Sequence, residues 1–448
     1  LAANCLHSLK EYQDCLTLLS PITSEVESLT KCDSKMQQFY HRAEAFGSNC
    51  ETEINPISSI FTVAGRCMDM LENRPKAQLM LTVALRIDAL CTEALAYLLQ
   101  HGLVGQREKI SLVEGAVASS VNRKLDWLET YYKGLLMQGG RVASANERKG
   151  QLNATTLAQQ AEYMYSRCRP EEAYRLAREA YIIDPFDWNG GVLVYIVSMV
   201  ELGLKTELFY LGHELAQSHP GQAVTWYCIG CYYWCCKKLA MAQAFLQKTT
   251  KLDKRFARGW VALGHVLVAA EESEHAISAY RTACRLLPGD HRAPTFMAKE
   301  LIRTNNVTLA VHILQGALQL CPDDPITLNE LGVAALSLSS PEEALHYFEL
   351  AVRVVSQFEG NYKYIDSEEI LCNYGTCLRR ANRLQEALLI YQRCLAMNPR
   401  STENHANVGF TLHLMRRFGE AIEYYHTVLG FEPAHAFCSE MLNNAIED

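Results

Sequence analysis

Apolar residues recur along this chain at helical spacings, in runs about thirteen residues long separated by short polar breaks. In 257–290, ARGWVALGHVLVAAEESEHAISAYRTACRLLPGD, Trp260, Leu263, Gly264 and Leu267 fall at i, i+3, i+4 and i+7. That spacing puts them on one face of a first helix. Ala276, Tyr280 and Ala283 share a face of a second helix, and Pro288 ends it, because proline cannot continue a helix. The EES between them is the predicted turn.

The pattern repeats every 34 residues. Gly230, Gly264, Ala298 and Gly332 are so spaced, as are Ala242, Ala276, Ala310 and Ala344. Trp226 and Trp260, Pro288 and Pro322, Gly375 and Gly409, Ala387 and Ala421, and Pro399 and Pro433 keep the same period. Period and residue choice are those of the tetratricopeptide repeat, one antiparallel helix pair per unit. The expected fold is all-α, a tetratricopeptide-repeat superhelix built as an α-solenoid of stacked helix pairs. Glycine inside a helix costs about 1 kcal/mol against alanine, so its return at one register marks a close approach of two helices. Helix starts agree. In SSPEEALHYF, Ser340 can cap, Pro341 suits the first helical position, and Glu342 and Glu343 favour the positive end. RCRPEEAYRLA repeats the device at Pro170.

Six units hold this register between 223 and 435. Upstream it drifts. Residues 154–187 keep Leu157, Ala161, Ala173, Ala177, Ala180 and Pro185, while 58–91 shows Phe61, Gly65, Ala77, Leu81 and Ala84. Residues 1–20 read as one more helix pair. The polar, glycine-rich GGRVASANERKGQLN at 139–153 reads as a loop or linker. Gly332 and Gly375 are 43 apart, and the nine extra residues fall around QFEGNYKYID, where an insertion maps to a loop. The expected organisation is a degenerate repeat region over 1–140, the linker 141–153, and a C-terminal superhelix over 154–448.

Composition narrows the chemistry. The 448 residues carry a formal net charge of −8, so no overall basic field invites nucleic acid. The longest nearly uncharged apolar stretch, GVLVYIVSMV at 191–200, is half of what a membrane-spanning helix needs. The chain does not begin with Met and reads as truncated. Seventeen cysteines, odd in number and scattered, suggest buried thiols in a reducing intracellular compartment. Four of them crowd WYCIGCYYWCC at 226–236. Cys228, Cys231 and Cys235 are spaced i, i+3, i+7 on one predicted helix, without the turn and second ligand pair that a zinc ribbon needs. No metal, cofactor or disulfide is expected there. No phosphate loop, nucleophile elbow or paired-carboxylate motif stands out, and the repeats occupy nearly the whole chain, so no enzyme is expected.

The expected working surface is the concave groove lined by first helices. At the usual inward positions stand Tyr227, Cys231 and Trp234, then Val261, His265 and Val268. Lys299 and Arg303, Asn329 and Val333, and Arg379 and Arg380 follow. Such a lining, aromatic and apolar with basic patches further on, suits an extended or helical peptide. The Lys/Asn clamp that docks chaperone C-termini is absent: the corresponding pairs are Tyr227/Cys231, Val261/His265, Thr295/Lys299, Asn329/Val333, Cys372/Thr376 and Ala406/Phe410.

One further level of likeness lies in longer runs. ELFYLGHELAQSHPGQAVTWYCIGCYYW (207–234), RGWVALGHVLVAAEESEHAISAYRTA (258–283), TNNVTLAVHILQGALQLCPDDP (304–325) and LNELGVAAL (328–336) resemble the family of cell division cycle protein sixteen, the sixth subunit of the anaphase-promoting complex, or cyclosome. The likeness is good from about 154 to 435 and collinear before that, as in NCLHSLKEYQDCLTLL. Ala298 departs from the family's usual glycine. The resemblance implies a non-catalytic scaffold of a multi-subunit ubiquitin ligase of the cell cycle, acting in nucleus and cytoplasm. It implies a homodimer formed through N-terminal repeats, assigned here to 1–140. It further implies a C-terminal groove enclosing a small accessory subunit, and contacts with other repeat subunits. Two other readings stay open: a different adaptor for an extended peptide, such as a chaperone or transport module, and the repeat half of an enzyme such as a protein glycosyltransferase.

Overall fold

The computed structural model describes residues 2–29, 33–46, 54–122, 128, 131–132, 153–166, 169–188, 190–356 and 367–447. The expected linker, apart from Asn153, and the insertion at 357–366 lie outside them. All regular structure among the described residues is helical, and the helices alternate with tight turns in the expected register. The architecture is the tetratricopeptide-repeat solenoid.

Two compact units divide the chain, Leu1–Val266 with Thr282–Asp290, and Leu267–Arg281 with His291–Asp448. In the first, Ala2–Ser8 pairs with Tyr12–Leu29, and Pro56–Met70 with Arg74–Ile87. Ala154–Ser166 pairs with Pro170–Ile183, and Ala223–Cys235 with Leu239–Leu252. In the second, Pro325–Ser337 pairs with Pro341–Ser356, Ser367–Arg380 with Leu384–Met397, and Thr402–Leu414 with Phe418–Phe431. The helix that Pro341 was expected to open does begin there, and Pro170 opens its own. Asp324 and Ser401 cap their helices by accepting hydrogen bonds from the N–H groups of Thr327 and Asn404.

The small residues work at two places. The periodic alanines Ala242, Ala276, Ala310, Ala344, Ala387 and Ala421 are fully buried. The glycines of the first helices face a large residue sixteen positions on. A Cβ at Gly230 would lie 2.7 Å from Leu246, and one at Gly332 would lie 2.7 Å from Phe348. At Gly375 and Gly409 the obstacles are Tyr391 at 2.8 Å and Tyr425 at 2.9 Å. Phe348, Tyr391 and Tyr425 are wholly buried as a result. Burying a side chain of that size contributes on the order of 2–3 kcal/mol. Glycine therefore recovers through its partner more than it loses in helix propensity.

The turns between paired helices have a second period. Gly203, Lys237, Glu271, Asn305 and Ser339 all take positive φ, between 59° and 68°, at intervals of 34, and Asn382 and Arg416 continue the series. Each sits just past the end of a first helix. At Lys237 the N–H donates to the carbonyl of Trp234, and the N–H of Lys238 reaches back to Tyr233, which satisfies the last carbonyls of the helix.

Within the first unit, residues far apart in sequence meet at Asp69, which has no exposed surface. Arg255 donates from Nη2 to Asp69 Oδ2 at 2.5 Å and from Nη1 to the Asp69 carbonyl at 3.0 Å. The Tyr97 hydroxyl donates to the same carboxylate at 2.9 Å. Gly289 N–H donates to Gly102 O at 2.7 Å, another contact between residues far apart in sequence. These contacts tie the N-terminal repeats to Arg255 and Gly289 of the same unit.

Candidate functional site

The residues expected to line a groove fall in both units. In the first, Tyr227 and Cys231 belong to the helix Ala223–Cys235, and both are buried. The Tyr227 ring meets Phe256 edge-on at 5.3 Å between centroids. Burial pushes its phenol well above the ordinary value. Trp234, the last residue but one of the same helix, is half-buried. Val261 and His265 are half-buried on the helix Ala257–Ala269, and burial pushes the His265 imidazole down to about 4. His265 is therefore neutral at physiological pH.

The cysteines of the same helix read as packing. Burial raises Cys228 well above the usual thiol value and Cys231 to about 12. Such groups stay thiols near neutrality, and the thiolate is the form that attacks or ligates. Among the described residues every cysteine is free, and no three His, Cys, Asp or Glu side chains converge in a way that could hold a metal ion. No helix among them is long and apolar enough to cross a membrane.

In the second unit the expected cations arrive with carboxylates. Lys299 Nζ lies 2.8 Å from Glu369 and 3.6 Å from Glu330. Glu330 is buried, which raises its carboxyl against the pull of Lys299. Asn329, also buried, donates to Glu330 at 3.2 Å and accepts from Asn373 at 3.1 Å. Arg303 donates from Nε to the buried Glu300 at 3.0 Å and from Nη2 to Ser273 at 2.5 Å. Lys299 and Arg303 thus present mixed charge rather than a bare positive patch. Arg379 lies over the Phe410 ring at 4.7 Å, Arg380 is exposed, and Val268 and Val333 are half-buried. The four acids and amides here, Glu300, Glu330, Glu369 and Asn373, were not expected. Glu300 was within reach of sequence, three residues before Arg303 on one helix face. Glu369 was not, since it stands 70 residues from Lys299.

Antiparallel helix pairs stacked in a 34-residue register define a tetratricopeptide-repeat protein. The tetratricopeptide repeat family matches residues 323–400. The chain is 30% identical over 469 residues to anaphase-promoting complex subunit 6 of Arabidopsis thaliana, covering 100% of this chain and 84% of that protein. It is 30% identical over 458 residues to the cell division cycle protein 16 homolog of Homo sapiens, covering 100% of this chain and 73% of that one. The crystal structure of the APC/C hetero-tetramer Cut9-Hcn1 has the same fold, with a TM-score of 0.74 at 24% identity over 99% of this chain and 82% of that chain. This chain belongs to the family of anaphase-promoting complex subunit 6 and cell division cycle protein 16.

Proposed function

We propose that the chain is a non-catalytic scaffold subunit of the anaphase-promoting complex that holds a short segment of a small accessory subunit along the inner face of its first helices. The observation that carries the reading is the set of accessible cations on first helices of the second unit, Lys299, Arg303, Arg379 and Arg380, with Trp234 accessible on a first helix of the first unit. An aromatic anchor followed by paired and unpaired cations fits a peptide bearing both apolar and acidic or carbonyl groups. Carboxylates beside Lys299 and Arg303 add acceptors for the backbone N–H groups of the same peptide. Tyr227, Cys231 and Asn329 support this face from within. Homodimerisation through 1–140 belongs to the same proposal, and so do contacts with other repeat subunits and a place in nucleus and cytoplasm. The likeness to a hetero-tetramer of two chain types supports it.

The test is to purify the full chain from dividing cells, identify what accompanies it, and measure its mass in solution. A mass of two chains, with a small acidic-and-apolar subunit that Trp234→Ala and Arg380→Ala variants retain less well, is expected. A monomer that leaves the other complex subunits behind would end the reading.

A further inference from the structure

The first unit contains a cavity of about 300 Å3, partly open to solvent, between the start of the helix Arg74–Ile87 and the stretch 284–288. Three guanidinium groups, Arg74, Arg255 and Arg285, stand in its wall against one carboxylate, Glu72. Pro75, Leu286 and Pro288 make one part of the wall apolar, and Gln78 and Cys284 complete it.

The three cations are not equally occupied. Arg255 is held from behind by Asp69. Arg74 is only 11% exposed, and its Nη1 stands 3.6 Å from Asp69 Oδ1 without a hydrogen bond. That nitrogen has no accessible surface and faces Asp69, so it is through its other atoms that Arg74 lines the cavity. Burial also works against the charged form of Arg74, with Asp69 pulling the other way. Arg285 donates to Glu72 at 2.7 Å, but both side chains are more than half exposed, so the pair is a weak surface contact that a better acceptor can replace. The helix beginning at Arg74 adds its own positive end. Asn73 precedes it without a side-chain cap, Pro75 has no N–H and the Ala77 N–H is bonded to the Asn73 carbonyl, so the N–H groups of Arg74 and Lys76 are the ones that no side chain caps.

We propose that this cavity is a phosphate-monoester site, read by Arg74 and Arg285 with Arg255 as a fixed cation in its wall. A phosphate monoester offers three acceptor oxygens, enough for two guanidinium forks at once, where a carboxylate offers two. The apolar wall takes the carbon body that carries the phosphate. The same chemistry belongs to a phosphoserine side chain of a peptide and to free phosphate. The site is separate from the inner face of the first helices and does not depend on the reading of that face.

The experiment is calorimetric titration of the full chain at low ionic strength with three probes: a leucine–phosphoserine–leucine tripeptide, its unphosphorylated form, and inorganic phosphate. The phosphorylated tripeptide should bind and the unphosphorylated one should not. Inorganic phosphate binding as tightly as the tripeptide would also support the site and assign it to a free anion. Arg285→Gln should weaken binding by about tenfold, the usual worth of a charged hydrogen bond. Glu72→Gln should tighten it, because it releases Arg285. Both positions are exposed, so these variants test binding without unfolding the chain, whereas Arg74→Gln disturbs Asp69 as well. The absence of heat from any phosphate probe, or equal affinity in wild type, Arg285→Gln and Glu72→Gln, would overturn the proposal.

Discussion

Gly332 and Phe348 stand opposite each other in the two helices of one repeat, so close that a Cβ on the glycine would lie 2.7 Å from the phenylalanine ring. The phenylalanine has no exposed surface. Each residue is the condition of the other: the ring fits because the facing helix has no side chain there. Gly332→Leu should therefore destabilise the chain by about 1–3 kcal/mol or more through overpacking. Phe348→Ala should cost about 3–5 kcal/mol. In urea melts, Gly332→Ala combined with Phe348→Ala should lose clearly less than the two single losses added together. Simple additivity would show that the two residues do not share one space.

The positive-φ turn at Ser339 gives a prediction of opposite sign. Ser339 is exposed, with φ of 61°, and its side chain is disfavoured in that conformation. Glycine fits the conformation but gives the unfolded chain more freedom. The difference should leave Ser339→Gly more stable by about 0.5–1 kcal/mol. Thermal melts of Ser339→Gly and Ser339→Val should move in opposite directions from wild type.

The Asp69 and Arg255 contact joins positions 186 residues apart, with the carboxylate fully buried. Removing Arg255 leaves that charge with the Tyr97 hydroxyl and with Arg74 and His101, each 3.6 Å away without a hydrogen bond. Arg255→Ala should cost about 3–5 kcal/mol. Hydrogen exchange should show loosening in both 56–87 and 239–269. Loss of protection confined to one of these segments would contradict the tie.

His265 sets a pH dependence. Its folded value is about 4, below the ordinary 6.5. Above pH 6.5 both folded and unfolded chains hold it neutral, and its contribution to stability is fully present. As the pH falls below 6.5 the unfolded chain takes up the proton first, so stability drops until the folded value near 4 is passed. The loss is at most about 3 kcal/mol, and less to the extent that water reaches the half-buried ring. His265→Gln should flatten the stability curve between pH 6.5 and 4. An unchanged slope would assign the acid sensitivity to other groups.

For the inner face, Trp234→Ala should weaken capture of an accessory segment by about 2 kcal/mol, the behaviour of an aromatic anchor. Arg380→Ala, at an exposed position, should have a smaller effect that fades with added salt. Titration of the accessory subunit against the full chain distinguishes them. Equal, salt-independent effects would remove Trp234 from the role of anchor.

The sequence by itself determined the repeat. Its period of 34, the recurrent glycines and alanines, and the proline and glutamate helix starts are local or periodic signals, and a solenoid is built by repeating local structure. The positions expected on an inner face were read from the same register. The partners of those positions were not. The register marked Gly332 as a close approach but did not name Phe348, and nothing in it marked Lys237 or Glu271 as positive-φ positions beyond their alignment with Gly203. Lys299 appeared as a bare cation until Glu369, 70 residues on, was brought to 2.8 Å. Arg255 and Asp69 lie further apart still. A repeat pattern states what each unit contains, whereas charge pairing and cavities depend on distances in space that only the packed chain sets.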